Sequence, residues 1–321
     1  MNNTAVSNRK EITLKDVIVY ILFVFIVLMA TILDRRFFTV NNFMVICKQT
    51  ATTAMIAFGM TFVITCGEID LSIGGVVCLV GMISTLVLEH TGNVLLASLV
   101  GLATGLIFGL INGLLIAKLK MVAFLATLGT QSIALGIAKT ITAQKPVTVY
   151  EPAFLDIWGK AEIGGFPVIM IWSLVAFVIC FILYKYTSFG NYVKACGGNR
   201  TAAIFSGVKT DGIIIRVMVL SGLCAALCGM MTVSRMSQGR PDIGTELGTD
   251  AITAVELGGT PFTGGSGSVA TSFIGAFVLI TLTNALVILG VPTTAQTIVK
   301  GVVVIAAVAI STSNISLKKK K

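Results

Sequence analysis

The residues in this chain that could do chemistry are few, and most are acids set beside glycines. Glu68 and Asp70 stand in the break Gly67-Glu68-Ile69-Asp70-Leu71-Ser72-Ile73-Gly74-Gly75, and Asp250 and Glu256 in a short apolar segment further on. A carboxylate at the centre of a bilayer costs roughly 2.5–3.5 kcal/mol on insertion scales, so it faces protein or water and serves a pathway, a gate or a proton relay. The plainer alternative is a turn, because Asp70 and Ser72 also suit the capping of backbone N–H groups at a helix start. Asn112, Thr130, Gln131, Thr283 and Asn284 lie inside apolar runs. They read as hydrogen-bonding groups for a polyhydroxylated solute, or as helix-to-helix bonds, which average about 0.6 kcal/mol. Arg240, Asp242, Glu246 and Asp250 crowd one loop, where they either dock a partner by charge complementarity or face solvent.

Covalent chemistry has little behind it. The seven cysteines are scattered without a Cys-x-x-Cys pair, and His90 is the single histidine, so neither a structural nor a catalytic metal site is expected. A second break, Gly258 to Ser268, is rich in glycine but lacks the Lys-Ser/Thr pair of a phosphate-binding loop. No Ser/His or paired-acid arrangement supports an enzyme. A membrane protein without an ATP-binding motif needs work supplied from outside, or a downhill gradient.

The elements that must position these residues are membrane helices. Of 321 residues, 55% are hydrophobic and 12% charged, with mean hydropathy +0.96. The apolar runs are continuous rather than alternating and too long for barrel strands, so the expected fold is all-α and polytopic. About ten spans are read: 17–33, 50–66, 73–88, 94–117, 121–142, 167–184, 213–233, 249–257, 269–289 and 294–310, within one transmembrane domain over 1–321. The eighth is too short to cross alone and is expected as a half-helix or re-entrant segment buried in protein. The first run lacks a small-residue cleavage site and is followed by Asp34-Arg35-Arg36, so it reads as a retained helix. Gly101, Gly105, Gly109 and Gly113 form a stripe for close helix approach, within one subunit or between two. The two glycine-rich breaks, each set between a short span and a longer one, hint at an internal repeat.

The net charge of +9 follows from topology rather than from nucleic-acid binding. With both termini inside, inside segments hold thirteen Lys and Arg, including the tail Lys318-Lys319-Lys320-Lys321, against seven outside, as the positive-inside rule expects. The inside loop from Lys185 to Gly212 carries four of them. Within it Asn199 is a good N-cap and Gly207 a good terminator, which predicts two helical turns over Arg200 to Ser206. Ala202 and Ala203 are small, and Ile204 and Phe205 apolar. A cytosolic helix of that composition needs something to receive it, or else packs on its own domain.

These residues also carry a resemblance. The chain resembles the membrane permease subunit of bacterial ABC sugar importers, in the branch that handles ribose, xylose, arabinose and galactosides. Two stretches carry most of it: Gly-Glu-Ile-Asp-Leu-Ser-Ile-Gly (67–74), where many members have Gly-Gly-Ile-Asp-Leu-Ser-Val-Gly, and Gly-Gly-Asn-x-x-Ala-Ala-x-x-Ser-Gly-Val (197–208). Asn112 to Ala117, Ala126 to Thr130, Asp250 to Ala254 and Gly258 to Gly265 follow in the family's order. Among its departures, Glu68 stands where glycine is common, and Arg200 where proline is frequent.

The resemblance implies a homodimer or a pair of related permeases in the bacterial cytoplasmic membrane. It implies two ATPase domains that hold the ATP and Mg, with no cofactor on this chain, and an extracytoplasmic sugar-binding protein that docks on the outer loops. Gly198, Asn199, Arg200, Ala202, Ala203, Ser206 and Gly207 would then form the coupling helix that enters a groove on the ATPase, and Ala203→Asp would uncouple transport by putting a charge into that dock. Glu68, Asp70, Ser72, Asn112, Thr130, Gln131, Asp250 and Glu256 are the candidates for pathway or gate. The competing expectation is a self-contained secondary transporter or channel relying on Asp70, Asp250 and Glu256.

Overall fold

The computed structural model describes residues 14–312, and apolar helices dominate it. In chain order these are α1 (Leu14–Leu33), α2 (Val40–Thr65), α3 (Ile73–Thr91), α4 (Val94–Ala117), α5 (Ala123–Ile141), α6 (Pro152–Leu155), α7 (Val168–Tyr186), α8 (Ser188–Gly198), α9 (Arg200–Phe205), α10 (Thr210–Met236), α11 (Leu247–Leu257), α12 (Val269–Ile288) and α13 (Thr293–Thr312). Short ladders β1 (Val147–Thr148) with β4 (Gln238–Gly239), and β2 (Glu162–Ile163) with β3 (Phe166–Pro167), tie loops together. The tetralysine tail lies outside the described residues.

Among the described residues, seven helices are long and apolar enough to cross a membrane: α2, α3, α4, α5, α7, α10 and α12. That is fewer than the ten spans expected. Of α1 and α13, the apolar stretches recognised are the shorter Phe23–Leu33 and Thr293–Ala306, and α11 has only 11 residues. A further difference is the start of α2, ten residues earlier than the expected span. Its first turns contain Asn41, Asn42 and Lys48, which dilute the apolar signal, yet Thr39 caps the helix by accepting from Asn42 N at 3.3 Å.

Burial sorts the helices into a centre and a rim. About 70% of the most apolar windows of α2, α3 and α10 is buried (72, 72 and 67%), against 33% for α4 and 28% for α5 and α7. Large apolar side chains on the rim, such as Leu99, Ile107, Leu125, Ile137, Val178 and Ile182, face outward. In water such a belt is unfavourable, whereas in lipid it is the expected surface.

The glycine stripe of α4 is spent inside the subunit. A Cβ on Gly109 would stand 2.6 Å from Met218 O, and one on Gly113 would stand 2.8 Å from Ile215 Cα; Gly105 and Gly222 interlock in the same seam. Lacking side chains, α4 and α10 close to backbone contact. At its far end Gly101 meets Ser84 of α3, where a Cβ would lie 2.5 Å from Oγ.

After α10 the chain turns back into the bundle. Gly239 packs on Thr85, late in α3, whereas Gly244 packs on Gly74 in its first turn, and Gly248 opens α11 beside Leu71 O. Residues 239–248 therefore run back along α3, and α11 continues in that direction. The short eighth segment is thus embedded in protein, where its polar backbone ends find partners.

Candidate functional site

The site begins with α8 and α9, which follow α7 directly. Thr187 caps α8, and Asn199 ends α8 and starts α9: its Oδ1 accepts from Ala202 N at 3.0 Å. Gly207, at φ +81°, stops α9, with Gly207 N on Ile204 O (2.9 Å) and Val208 N on Ala203 O (3.0 Å). A left-handed residue just past the last turn is a common helix stop. The two predicted turns are therefore present. Helix α8 was not expected, although Phe189, Val193 and Cys196 recur at helical spacing behind the Thr187-Ser188 cap. Phe189 stacks on Phe62 with ring centroids 5.8 Å apart.

The faces of α9 differ from expectation at one residue. Ala203 is buried against its own chain (5% exposed), so it is not the surface that a partner meets, and a charge there would test folding first. Phe205 (87%) and Ile204 (54%) project outward, with Ala202 and Ser206 also exposed.

Beneath α9 three glycine-rich segments meet. A Cβ on Gly264 would stand 3.0 Å from Gly67 Cα and 3.2 Å from Gly197 Cα; one on Gly197 would strike Thr65 O and come 2.7 Å from Gly265 N. Gly198 packs on Gly265, and Gly265 N donates to Thr65 O at 2.9 Å. Both breaks singled out in the sequence thus converge on the α8–α9 corner. Glu68, buried at the end of α2, forms an ion pair with Arg200, the first residue of α9.

Deeper in the bundle a chain of hydrogen bonds gathers four of the candidates. Thr130 Oγ1 donates to Asn112 Oδ1 (2.7 Å), Asn112 Nδ2 to Ser72 Oγ (2.7 Å), and Ser72 Oγ to Asp70 Oδ1 (2.6 Å). Ser72 N also donates to Asp70 Oδ1 (2.9 Å), and Ser221 Oγ donates to Oδ2 (2.7 Å). All five side chains are buried. The bonds join α5, α4, the α2–α3 break and α10, so they act as helix-to-helix ties. Ser221 was missed in the sequence, where a lone serine in an apolar run gives no sign of its partner. Gln131 stands apart from this chain and meets α3 through its backbone, where a Cβ on Gly75 would lie 2.7 Å from Gln131 O. Thr283 bonds back to Leu279 O of its own helix, and Asn284 Nδ2 bonds Asn42 Oδ1 at 2.9 Å.

The crowded loop divides in two. Arg240 and Asp242 pair with each other at 2.7 Å on the surface, and the guanidinium holds the Asp242 carboxyl below the usual carboxylate range. Glu246 and Asp250 turn instead to Lys300 of α13, at 3.2 and 3.1 Å. Asp250 is buried in α11 rather than placed on a solvated loop. Glu256 is 4% exposed, and neither carboxylate oxygen has a hydrogen-bond partner among the described residues. Among those residues no cluster of three His, Cys, Asp or Glu gathers that could hold a metal ion.

These features define a class: a multi-pass helical membrane protein whose buried polar groups tie helices together, and whose short α9 presents an apolar tip above a glycine junction. Comparison with known proteins narrows it. A family model described as branched-chain amino acid transport system / permease component matches residues 42–308. The ribose import permease protein of Bacillus subtilis (strain 168) is 37% identical over 284 residues, 88% of each chain. That of Escherichia coli (strain K12) is 36% identical over 316 residues, 96% of this chain and 98% of the relative. The D-allose transport system permease protein of the same strain is 34% identical over 292 residues, 91% of this chain and 89% of the relative. No solved structure matches the chain. The chain belongs to this family of transport permease components.

Proposed function

We propose that the chain is the transmembrane permease of an ATP-driven importer for a monosaccharide, ribose or a close relative. The observation that carries the mechanism is α9, a capped helix with Phe205 and Ile204 exposed, resting on the junction of both glycine-rich breaks. A groove on a separate ATPase subunit receives that tip, and closure of the ATPase moves α9 and switches the pathway between outward and inward access. ATP and Mg belong to that subunit, and this chain holds no cofactor. A second permease copy and an extracytoplasmic sugar-binding protein complete the importer. Both termini and α9 face the cytosol, in line with the lysine and arginine bias.

The sugar assignment rests on relatives named for ribose and allose import that match nearly end to end. The family description names branched-chain amino acids instead, so the test must separate the two cargoes. Proteoliposomes carrying the permease, its ATPase and its binding protein are expected to take up labelled ribose only with ATP, and unlabelled leucine is expected not to compete. Competition by leucine would reverse the cargo assignment. ATP-independent uptake that collapses with an uncoupler would instead favour a secondary transporter, for which Glu256, buried and without a hydrogen-bond partner among the described residues, is the strongest relay candidate.

A further inference from the structure

Helix α9 is held to the bundle by few bonds of its own. Its covalent ties run through Asn199 to α8 and through Gly207 to the start of α10. Both of those helices touch the α2–α3 break, Gly197 of α8 by packing on Gly67 and Ser221 of α10 by bonding Asp70. That break is where the bundle is knotted: Asp70 reaches α10 through Ser221, and Ser72 reaches α4 and then α5 through Asn112 and Thr130. A movement of α9 reaches this knot through those neighbours, and directly only across a contact that α9 makes itself.

The structure supplies one. Glu68 lies two residues before Asp70 and is 9% exposed, and its carboxylate meets the guanidinium of Arg200. This is the single ion pair that α9 makes among the described residues. The two residues are 132 positions apart in sequence.

The glycine packing explains why a charged link is needed there. Gly67, Gly197 and Gly264 touch backbone to backbone. Such surfaces present no interlocking side chains and can slide or separate under load. A carboxylate–guanidinium pair, with one partner buried, resists separation and holds a defined distance between α9 and the break.

We propose that Glu68 and Arg200 are positioning residues that form an electrostatic strut, delivering the displacement of α9 to the α2–α3 break and from there to α4, α5 and α10. The inference rests on reading α9 as the coupling element. It adds a specific route for the transmitted motion.

Charge reversal in the assembled importer tests it. The permease is purified and reconstituted with its ATPase and binding protein as wild type, Glu68→Arg, Arg200→Glu and the doubly reversed variant. ATP hydrolysed per sugar imported is measured for each, together with the amount of ATPase that co-purifies. A residue needed only for stability lowers assembly, uptake and hydrolysis together and leaves the ratio unchanged. Loss of the strut raises the ratio, by at least about fivefold in each single variant, the lower end of ordinary coupling energies. The double variant is expected to return to within about twofold of wild type, because opposite charges again face each other. Glu68→Gln and Arg200→Gln, which remove charge without reversing it, provide milder forms should a reversal variant fail to fold, and each is expected to raise the ratio as well. Single variants with a wild-type ratio would overturn the strut, as would a double variant no better than the worse single. Loss of the ATPase from every Arg200 variant would also overturn it, by making Arg200 a docking contact. Failure of the coupling reading itself looks different: the wild-type importer would then transport without ATP.

Discussion

Replacing Asp70 separates a scaffold from a relay. Its carboxylate receives three donors, Ser72 N at 2.9 Å, Ser72 Oγ at 2.6 Å and Ser221 Oγ at 2.7 Å. Asp70→Ala strands all three in a buried site. A stranded buried donor costs about 1–3 kcal/mol. The two hydroxyls can rotate toward carbonyls of their own helices, but the Ser72 amide cannot, so the lower end applies, about 3 kcal/mol in total. At roughly 2 °C per kcal/mol for a chain of this size, thermal unfolding in detergent should fall by roughly 6 °C. Asp70→Asn is different. Its oxygen still serves both Ser72 donors, and its amide can donate to Ser221 Oγ, whose hydrogen is free to turn elsewhere. The expected loss is under about 1 kcal/mol, and ATP-driven uptake should persist. A proton relay through Asp70 would behave in the opposite way, with Asn stable but inactive. Unfolding of Asp70→Ala within about 2 °C of wild type, or a stable Asp70→Asn that no longer transports, would refute the scaffold argument.

Other expectations follow from the same geometry. Phe205→Asp changes a side chain that is 87% exposed, so it should leave the unfolding temperature unaltered while the ATPase is lost from pull-downs; retention of the ATPase would remove α9 from the docking surface. Gly109→Leu drives a side chain into Met218 O and should cost at least the roughly 1–3 kcal/mol of ordinary overpacking, whereas Gly136→Ala, with open space around it, should be neutral or mildly stabilising, as comparative thermal melts would show. Lys300→Met leaves Asp250 buried without its partner and should destabilise by about 1–3 kcal/mol, less than a fully buried pair because Lys300 keeps some exposure. Adding Asp250→Leu to that variant should recover most of the loss, and no recovery would argue against a direct pairing.

Much of the fold was legible in the sequence because the bilayer imposes a one-dimensional rule. Long apolar runs mark helices regardless of what they touch, and the caps Asn199 and Gly207 act on neighbours within four residues. The α4 glycine stripe was legible as an approach surface, but its partner α10 was not, since a stripe says how close a helix may come and not which helix comes. The start of α2 was missed because Asn41, Asn42 and Lys48 look like a loop, and the cap that Thr39 supplies there was not read. The candidate site shows the same division. Asp70, Ser72, Asn112 and Thr130 could be named one by one as polar residues in apolar surroundings, yet their joining depends on the rotation and register of four separate elements. Ser221 and Lys300 carried no local signal, and Ala203, small and adjacent to exposed neighbours, was placed on the wrong face because six residues are too few to set a helix's orientation by pattern.

The burial of Asp250 by Lys300 has a consequence for how the chain is made. Helix α11 has 11 residues, one acid at its start and another near its end, so on leaving the ribosome it lacks the length and hydrophobicity to enter lipid by itself. The cation that neutralises Asp250 lies 50 residues downstream, on α13. Until that last helix is synthesised and folds back, the segment must wait at the membrane surface or among other helices with its charge unmet. Assembly therefore has a built-in late step, and a ribosome that stalls before residue 300 leaves behind a permease whose middle is still unfinished.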